Sequence, residues 1–149
     1  MNTANTDLDK EKKLAAIREF GAYVSAPVGI SMRPMLRAGI DTVVIVAPQG
    51  RLKKYDVALF CYMGRHVMHR VIKVTDDGYV FRGDNCIATE KASDSDVIGV
   101  MKEFYRGERK IKSDALLYRI YSLYAVKLSF FRHLPRRAIG KLKRIFAGK

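Results

Sequence analysis

The sequence predicts a mainly β fold, a coiled antiparallel barrel or sandwich, with a short N-terminal helix and a C-terminal helical segment. The chain has 149 residues, of which 48% are hydrophobic, and this suffices for one domain with one core. Between residues 42 and 106, short apolar runs with the two-residue period of strands follow one another. Both ends of the chain return to the spacing of three and four residues that is typical of helices.

We divide the chain into three parts. An N-terminal helix is expected within residues 1–24, with Thr6 as its cap and Gly21 as its stop. The β domain takes residues 25–106, and a basic amphipathic helical tail takes residues 107–149. The short apolar face of the N-terminal helix consists of Leu14, Ile17 and Phe20.

Five strands and two tight turns are predicted within the β domain. Gly64-Arg65 and Asp77-Gly78 each separate two strand-like runs, as the turns of β-hairpins do. The five runs are residues 42–48, 55–63, 66–75, 79–84 and 97–106.

The net charge of +13 is concentrated near the C-terminus. Residues 1–106 carry 16 Lys and Arg against 13 Asp and Glu, a balance of +3, whereas residues 107–149 carry 12 against 2, a balance of +10. A local positive charge of this size favours a polyanionic partner, which could be an anionic membrane surface, a nucleic acid or an acidic protein. Within residues 113–149, apolar residues at helical spacing alternate with Lys and Arg, and Pro135 interrupts the pattern.

The sequence offers no sign of export, of a membrane span or of a metal site. Its polar start, MNTANTDLDKEKK, lacks the pattern of an export signal, and no run of 18 uncharged apolar residues predicts a transmembrane helix. We therefore expect a cytoplasmic protein in which Cys61 and Cys86 are reduced thiols. The Cys and His residues lack the close spacing of metal ligands, so no metal or other cofactor is expected.

The first candidate for chemistry is Ser31, in the segment GISMRPML at residues 29–36. Gly29 permits unusual backbone dihedrals, and Pro34 keeps the segment out of a helix. A hydroxyl presented by such a segment could act as a nucleophile. A turn serine that bonds to its own backbone explains the same residues.

Two further candidates, His69 and Asp84, lie on either side of the predicted Asp77-Gly78 turn. His69 lies in the middle of a strand, and its imidazole would serve as a general base. Antiparallel pairing across the turn can bring the Asp84 carboxylate into a row next to the imidazole. A core histidine and a turn aspartate are the ordinary structural alternatives.

GISMRPML resembles the Ser-Met-x-Pro-x-Leu nucleophile box of the signal peptidase I family and of its relatives, the self-cleaving SOS-type repressors. The motifs that follow it, HRVI, RGDN and a closing VIGV, occur in the same order as in that family. The likeness runs from Gly29 to Tyr105, and the joint occurrence of these motifs is fairly specific. It implies a β fold of the signal peptidase-like type and the activity of a serine peptidase.

His69 in its His-Arg-Val context is similar to the base of the endoplasmic-reticulum-type and spore-former-type branch, where other signal peptidases use a lysine. The resemblance therefore implies that Ser31, His69 and Asp84 catalyse peptide cleavage as nucleophile, base and orienting acid. The backbone N–H of Ser31 is expected to bind the oxyanion. Glu90 lies where the family often has a second acid, although as Glu rather than Asp, and Lys73 is an alternative base.

The sequence departs from the family next to the nucleophile box, where signal peptidases have a transmembrane helix and this chain has its charged N-terminal helix. The tail, residues 113–149, could instead hold the protein on anionic lipid at the inner face of the membrane. A helix hairpin packed on the barrel or used for dimerisation explains the tail equally well. A cytoplasmic active site would favour a leader or a ribosomally made precursor peptide as substrate.

Two other functions stay open at this point. A non-enzymatic regulator would bind nucleic acid through the basic tail, although no helix-turn-helix precedes the β region. A self-cleaving switch would need an internal cleavage site within reach of Ser31, and the sequence contains no convincing one. The serine endopeptidase is the preferred hypothesis, with a peptide or protein as partner, nucleic acid as the less favoured partner and the oligomeric state undecided.

Overall fold

The computed structural model describes residues 3–127, and these form two α-helices, one 3₁₀ helix and one antiparallel sheet of eight strands. Helix α1 is Thr3–Phe20, helix α2 is Leu116–Lys127, and the 3₁₀ helix is Asp94–Asp96. The strands are β1 Tyr23–Ser25, β2 Asp41–Val46, β3 Val57–Tyr62, β4 Arg65–Thr75, β5 Gly78–Arg82, β6 Glu90–Ala92, β7 Val97–Arg106 and β8 Arg109–Lys112.

The strands follow one another across the sheet in the order β1-β2-β7-β3-β4-β5-β6, and β8 also pairs with β7. The long strand β7 has β2 on one side, and β3 followed by β8 on the other. The sheet curls into a half-barrel, which confirms the mainly β prediction while leaving the barrel open.

The core lies inside the curl in two clusters of apolar side chains. In β2, alternate residues are fully buried, because a strand turns every second side chain inward. The first cluster joins β2 and β7 to Ile17 of α1, to the segment that follows Ser31 and to Tyr118 of α2. The second cluster surrounds the stacked rings of Phe60 and Phe81.

Helix α1 differs from its prediction at the start and agrees with it at the end. It begins at Thr3, so Thr6 is not its cap, and the Thr6 hydroxyl instead donates to the carbonyl of Gly64 at 2.8 Å. Gly21 follows the last helical residue with φ of 74°, a conformation that favours glycine, and this confirms the predicted stop. Ile17 is buried as expected, but Phe20 is 74% exposed.

All five predicted strands are present, but both hairpin turns lie one residue earlier than predicted, at Met63-Gly64 and Asp76-Asp77. Strands β1, β6 and β8 were not predicted, because runs of three or four residues carry little periodicity. Strand β1 begins within the part assigned to the N-terminal helix, and β8 lies within the part assigned to the tail. The body of the sheet therefore extends beyond residues 25–106.

After β8, the predicted tail is helical as far as it is described, since α2 runs from Leu116 to Lys127. The remainder of the predicted amphipathic segment, including Pro135, lies outside the described residues. Within residues 3–127, neither helix combines the length and apolarity that crossing a membrane requires.

Candidate active site

Ser31 lies in a turn that is fastened to the loop after β5. The backbone N–H of Asn85 donates to the carbonyl oxygen of Ser31 at 2.7 Å. The side-chain amide of Asn85 donates to the carbonyl oxygen of Ile30 at 3.2 Å. Two residues of the same segment, Met32 and Leu36, are buried in the first core cluster. The serine is thus held by its backbone from one side and by its neighbours' side chains from the other, while its own side chain is partly exposed.

His69 lies on β4 and is only 6% exposed. Its Nδ1 is 2.8 Å from Oε2 of Glu90, the first residue of β6. With Nδ1–H donating to this carboxylate, Nε2 carries the lone pair that a general base needs. The ring of Phe60 packs edge-on against the imidazole, with 6.4 Å between the ring centres, and helps to fix its plane.

Gly83 lies between the imidazole and the Ser31 backbone. A Cβ atom at this position would be 2.7 Å from the Ser31 carbonyl oxygen and 3.0 Å from Nε2 of His69. Both distances are shorter than ordinary van der Waals contact, so the absence of a side chain is what lets the two approach. Nε2 of His69 and the Ser31 segment therefore meet at Gly83.

Ser31 and His69 are neighbours without a direct bond. Among residues 3–127, no hydrogen bond joins the Ser31 hydroxyl to the imidazole, and the Ser31 N–H has no acceptor either. Catalytic hydrogen bonds are often long in the absence of substrate. An N–H without an internal acceptor is also what an oxyanion donor requires.

The contact expected between Asp84 and His69 is absent, because the β4–β5 ladder contains a bulge. Thr75 pairs with Gly78, and an unbroken ladder from there would bring Asp84 opposite His69. The register shifts at Ile72, so that Arg70 pairs with Arg82 and the next residues, His69 and Gly83, face each other. A one-residue shift moves Asp84 to the other face of the hairpin.

On that other face Asp84 forms a buried ion pair with Arg70. The guanidinium donates from Nε to Oδ1 and from Nη2 to Oδ2, both at 2.8 Å, and both side chains are almost fully buried. Burial by itself would lower the pKa of Arg70, but hydrogen bonds to Asp84 and Tyr118 raise it above its ordinary value. The guanidinium therefore stays charged, and its two hydrogen bonds to Asp84 tie β4 to the loop after β5 next to the site.

The remaining candidates have smaller roles. Lys73 is exposed and lies beyond the bulge, so nothing in the structure places it at the site as a base. Cys86 follows the Asn85 loop, and its Sγ would be 2.9 Å from a Cβ at Gly83. Burial, followed by the negative charge of Glu90, raises the pKa of this thiol. A protonated thiol is a poor nucleophile, and neither Cys86 nor Cys61 forms a disulfide.

A cleft of about 490 Å³ opens beside Ser31. Its wall near the serine is apolar and includes Met32, Leu36 and Met68. Its far end is charged, because Asp9, Lys13 and His66 line it. A cleft with this lining could take an extended peptide with an apolar residue next to the serine. No group of His, Cys, Asp and Glu suited to a metal ion occurs within residues 3–127.

The sequence pattern missed two features of the site, the Glu90 contact and the Arg70–Asp84 pair. Glu90 pairs with Phe81 across β5 and β6, and Phe81 shares a face with Gly83. A predicted β6 would thus have put Glu90 on the His69 side of the sheet. The family resemblance did name Glu90 as a second acid, and this residue holds the ring.

Comparisons with known protein families, with curated proteins and with solved structures found no match to this chain. The interpretation of the site rests on its geometry and on its motifs.

Proposed function

We propose that the protein is a serine endopeptidase, similar in fold and mechanism to the Ser-His signal peptidases, that cleaves a leader or precursor peptide. The observation that carries the proposal is the orientation of His69, whose Nδ1 is bonded to Glu90 and whose Nε2 faces Gly83 and the Ser31 segment. A buried imidazole held by a carboxylate beside a partly exposed serine is the arrangement that acyl transfer uses.

In the proposed reaction, Oγ of Ser31 attacks the carbonyl carbon of the scissile bond while Nε2 of His69 takes the hydroxyl proton. The N–H of Ser31 donates to the developing oxyanion. Nε2 then returns the proton to the leaving amine, and an acyl-enzyme on Ser31 remains. Water, deprotonated by the same nitrogen, releases the second product. Glu90 stabilises the imidazolium in both halves of the reaction, a role that the sequence had assigned to Asp84.

The proposal includes a location on the inner face of the membrane, with residues 113–149 against the lipid and the substrate presented from the cytoplasm. The apolar part of the cleft beside Ser31 would hold the residues that precede the scissile bond. Asp84 contributes indirectly, because its pairing with Arg70 fixes the loop that carries Gly83 and Asn85.

A fluorophosphonate probe, which reacts with activated serines, tests the proposal without a known substrate. We expect intact-mass analysis of the labelled full chain to show one adduct and peptide mapping to place it on Ser31. Ser31→Ala should abolish labelling, whereas Ser25→Ala, a change of the same size in the same cleft, should leave it unchanged.

Equal labelling of the wild type and Ser31→Ala, or none at all even with a peptide pool as alternative reporter, would refute the peptidase. In that case the nucleic-acid-binding regulator becomes the better explanation. A complex with duplex DNA that weakens steeply with salt would then support it.

A further inference from the structure

Helix α2 has a buried inner face and an exposed, apolar outer face. Its inner face is buried against the sheet through Tyr118, Ser122 and Ala125. Its outer face carries large apolar side chains that are 43–74% exposed. This outer face, with the spacing of one helical stripe, consists of Leu116, Leu117, Ile120, Leu123 and Tyr124.

Helix α2 and the sequence that follows it are rich in positive charge. Arg119 and Lys127 are exposed on the same helix. In the sequence that follows, residues 128–149 carry seven Lys and Arg and neither Asp nor Glu. An apolar stripe among basic residues matches a surface that is apolar inside and anionic at its boundary. A nucleic acid would leave the leucines in water, and a second copy would meet a chain of net charge +13.

The inner face of α2 is bonded to the ion pair beside the active site. The Arg70 guanidinium donates to the hydroxyls of Ser122 at 2.7 Å and Tyr118 at 3.2 Å, and the Tyr121 hydroxyl donates to Asp84 at 3.1 Å. Arg70 is the chain neighbour of His69, and Asp84 belongs to the loop that holds the Ser31 backbone.

We propose that the outer face of α2 docks on an anionic lipid surface, and that docking steadies the loop at residues 83–86 through the Arg70–Asp84 pair. Docking immobilises the helix from outside, so its hydroxyls hold the guanidinium and carboxylate more firmly. The loop then opens less often, and the amide of Asn85 stays on the Ser31 carbonyl. The membrane contact rests on the proposed function and the coupling to the loop goes beyond it, but neither requires Ser31 to be a nucleophile.

The chain contains no tryptophan, so one introduced indole reports docking by itself. We expect the fluorescence of Leu117→Trp to shift to the blue with vesicles of phosphatidylcholine and phosphatidylglycerol, and much less with phosphatidylcholine alone. Met63→Trp, an exposed site in the β3–β4 turn, should show no shift. Added salt should weaken binding, because part of the attraction is electrostatic.

The double variant Leu117→Ser, Ile120→Ser should bind these vesicles at least about tenfold more weakly, since two apolar side chains no longer leave water. Circular dichroism checks that it is folded, and Ser31→Ala should bind as the wild type does. No shift of Leu117→Trp with anionic vesicles would overturn docking. So would a shift that depends on protein concentration alone, or one produced by duplex DNA instead of lipid.

Hydrogen exchange tests the second half of the proposal. Anionic vesicles should slow exchange of the amides in residues 83–86 in the full chain but not in the double variant. Ser122→Ala keeps the outer face and loses one bond to Arg70, so it should bind lipid normally and show a smaller slowing. The coupling would be overturned if the wild type binds the vesicles but its amides in residues 83–86 exchange at an unchanged rate.

Discussion

Two histidines on β4, His69 and His66, make nearly identical contacts on different sides of the strand. Nδ1 of His69 is 2.8 Å from Glu90, and Nδ1 of His66 is 2.9 Å from Asp9 of helix α1. They differ at the other nitrogen. Nε2 of His69 faces Gly83 and the Ser31 segment, whereas Nε2 of His66 is buried without a hydrogen-bond partner within residues 3–127.

The surroundings of the second ring nitrogen, and not the histidine–carboxylate contact, distinguish the two residues as candidate bases. Asp9 is shared with Lys13, and burial, followed by the positive charge of Lys13, lowers the pKa of His66. Glu90 makes its contact from a strand of the same sheet, which is a more rigid support than a helix with few contacts to the sheet. His66 lines the cleft and His69 adjoins the Ser31 segment at Gly83, so the identity of the base can be decided by experiment.

The largest difference in the rate of Ser31 acylation is expected between the variants His69→Ala and His66→Ala. Loss of the base should reduce the rate of Ser31 acylation by on the order of 10⁴-fold or more, because the serine hydroxyl then has no proton acceptor. His66→Ala should change the rate less than about threefold. The rate of labelling by the fluorophosphonate probe measures both, and a greater loss in His66→Ala would assign the base to the other face of β4.

Glu90 and Asp9, the carboxylates that contact the two histidines, should also differ in their effect on this rate. Glu90→Gln keeps the shape of the side chain but removes the charge that stabilises the imidazolium, and the rate should fall by about 10²–10⁴-fold. Asp9→Asn serves as the matched change at the other histidine and should leave the rate nearly unaltered. Measurements of labelling rate against pH check this, and equal losses in the two variants would contradict the assignment.

Asp84 should prove to be a structural acid and not a partner of His69. Asp84→Asn leaves a buried guanidinium without its counter-charge and should lower the free energy of unfolding by about 3–5 kcal/mol. Urea unfolding measures this. Asp77→Asn, at an exposed turn position, is the control and should stay within about 0.5 kcal/mol of the wild type. A fully stable Asp84→Asn protein that lacks activity would instead restore the role given to Asp84 by the sequence.

The smallest effect is a pH dependence of stability that originates at His66. Its pKa in the folded chain lies below the ordinary value of 6.5, so on acidification the unfolded chain takes up the proton first. The His66 contribution is therefore complete above pH 6.5 and is lost as the pH falls below it. Thermal unfolding at about pH 7.5 and pH 5.5 should show a smaller decrease for His66→Gln than for the wild type. Equal decreases would show that His66 does not titrate differently in the folded chain.

The long strands and the hairpins that join them could be predicted, because the hydrophobic period and the turn residues are local properties of the sequence. These local properties do not identify the partner of His69. The partner of His69 depends on the bulge at Ile72. The sequence of β4 around this position is an apolar, β-branched run and carries no sign of an extra residue. The start of α1 was missed for a similar reason, since its first two turns are polar and carry no apolar stripe.

The space at Gly83 gives a practical route to the unknown substrate. Gly83→Ala adds a single methyl group between the Ser31 carbonyl and His69, at distances where something must move. The added methyl group would move Ser31, the proposed nucleophile, away from His69, the proposed base, while leaving the cleft walls intact. On the proposed mechanism, the Gly83→Ala chain would bind a peptide substrate without cleaving it, and the bound peptide could be recovered whole and sequenced.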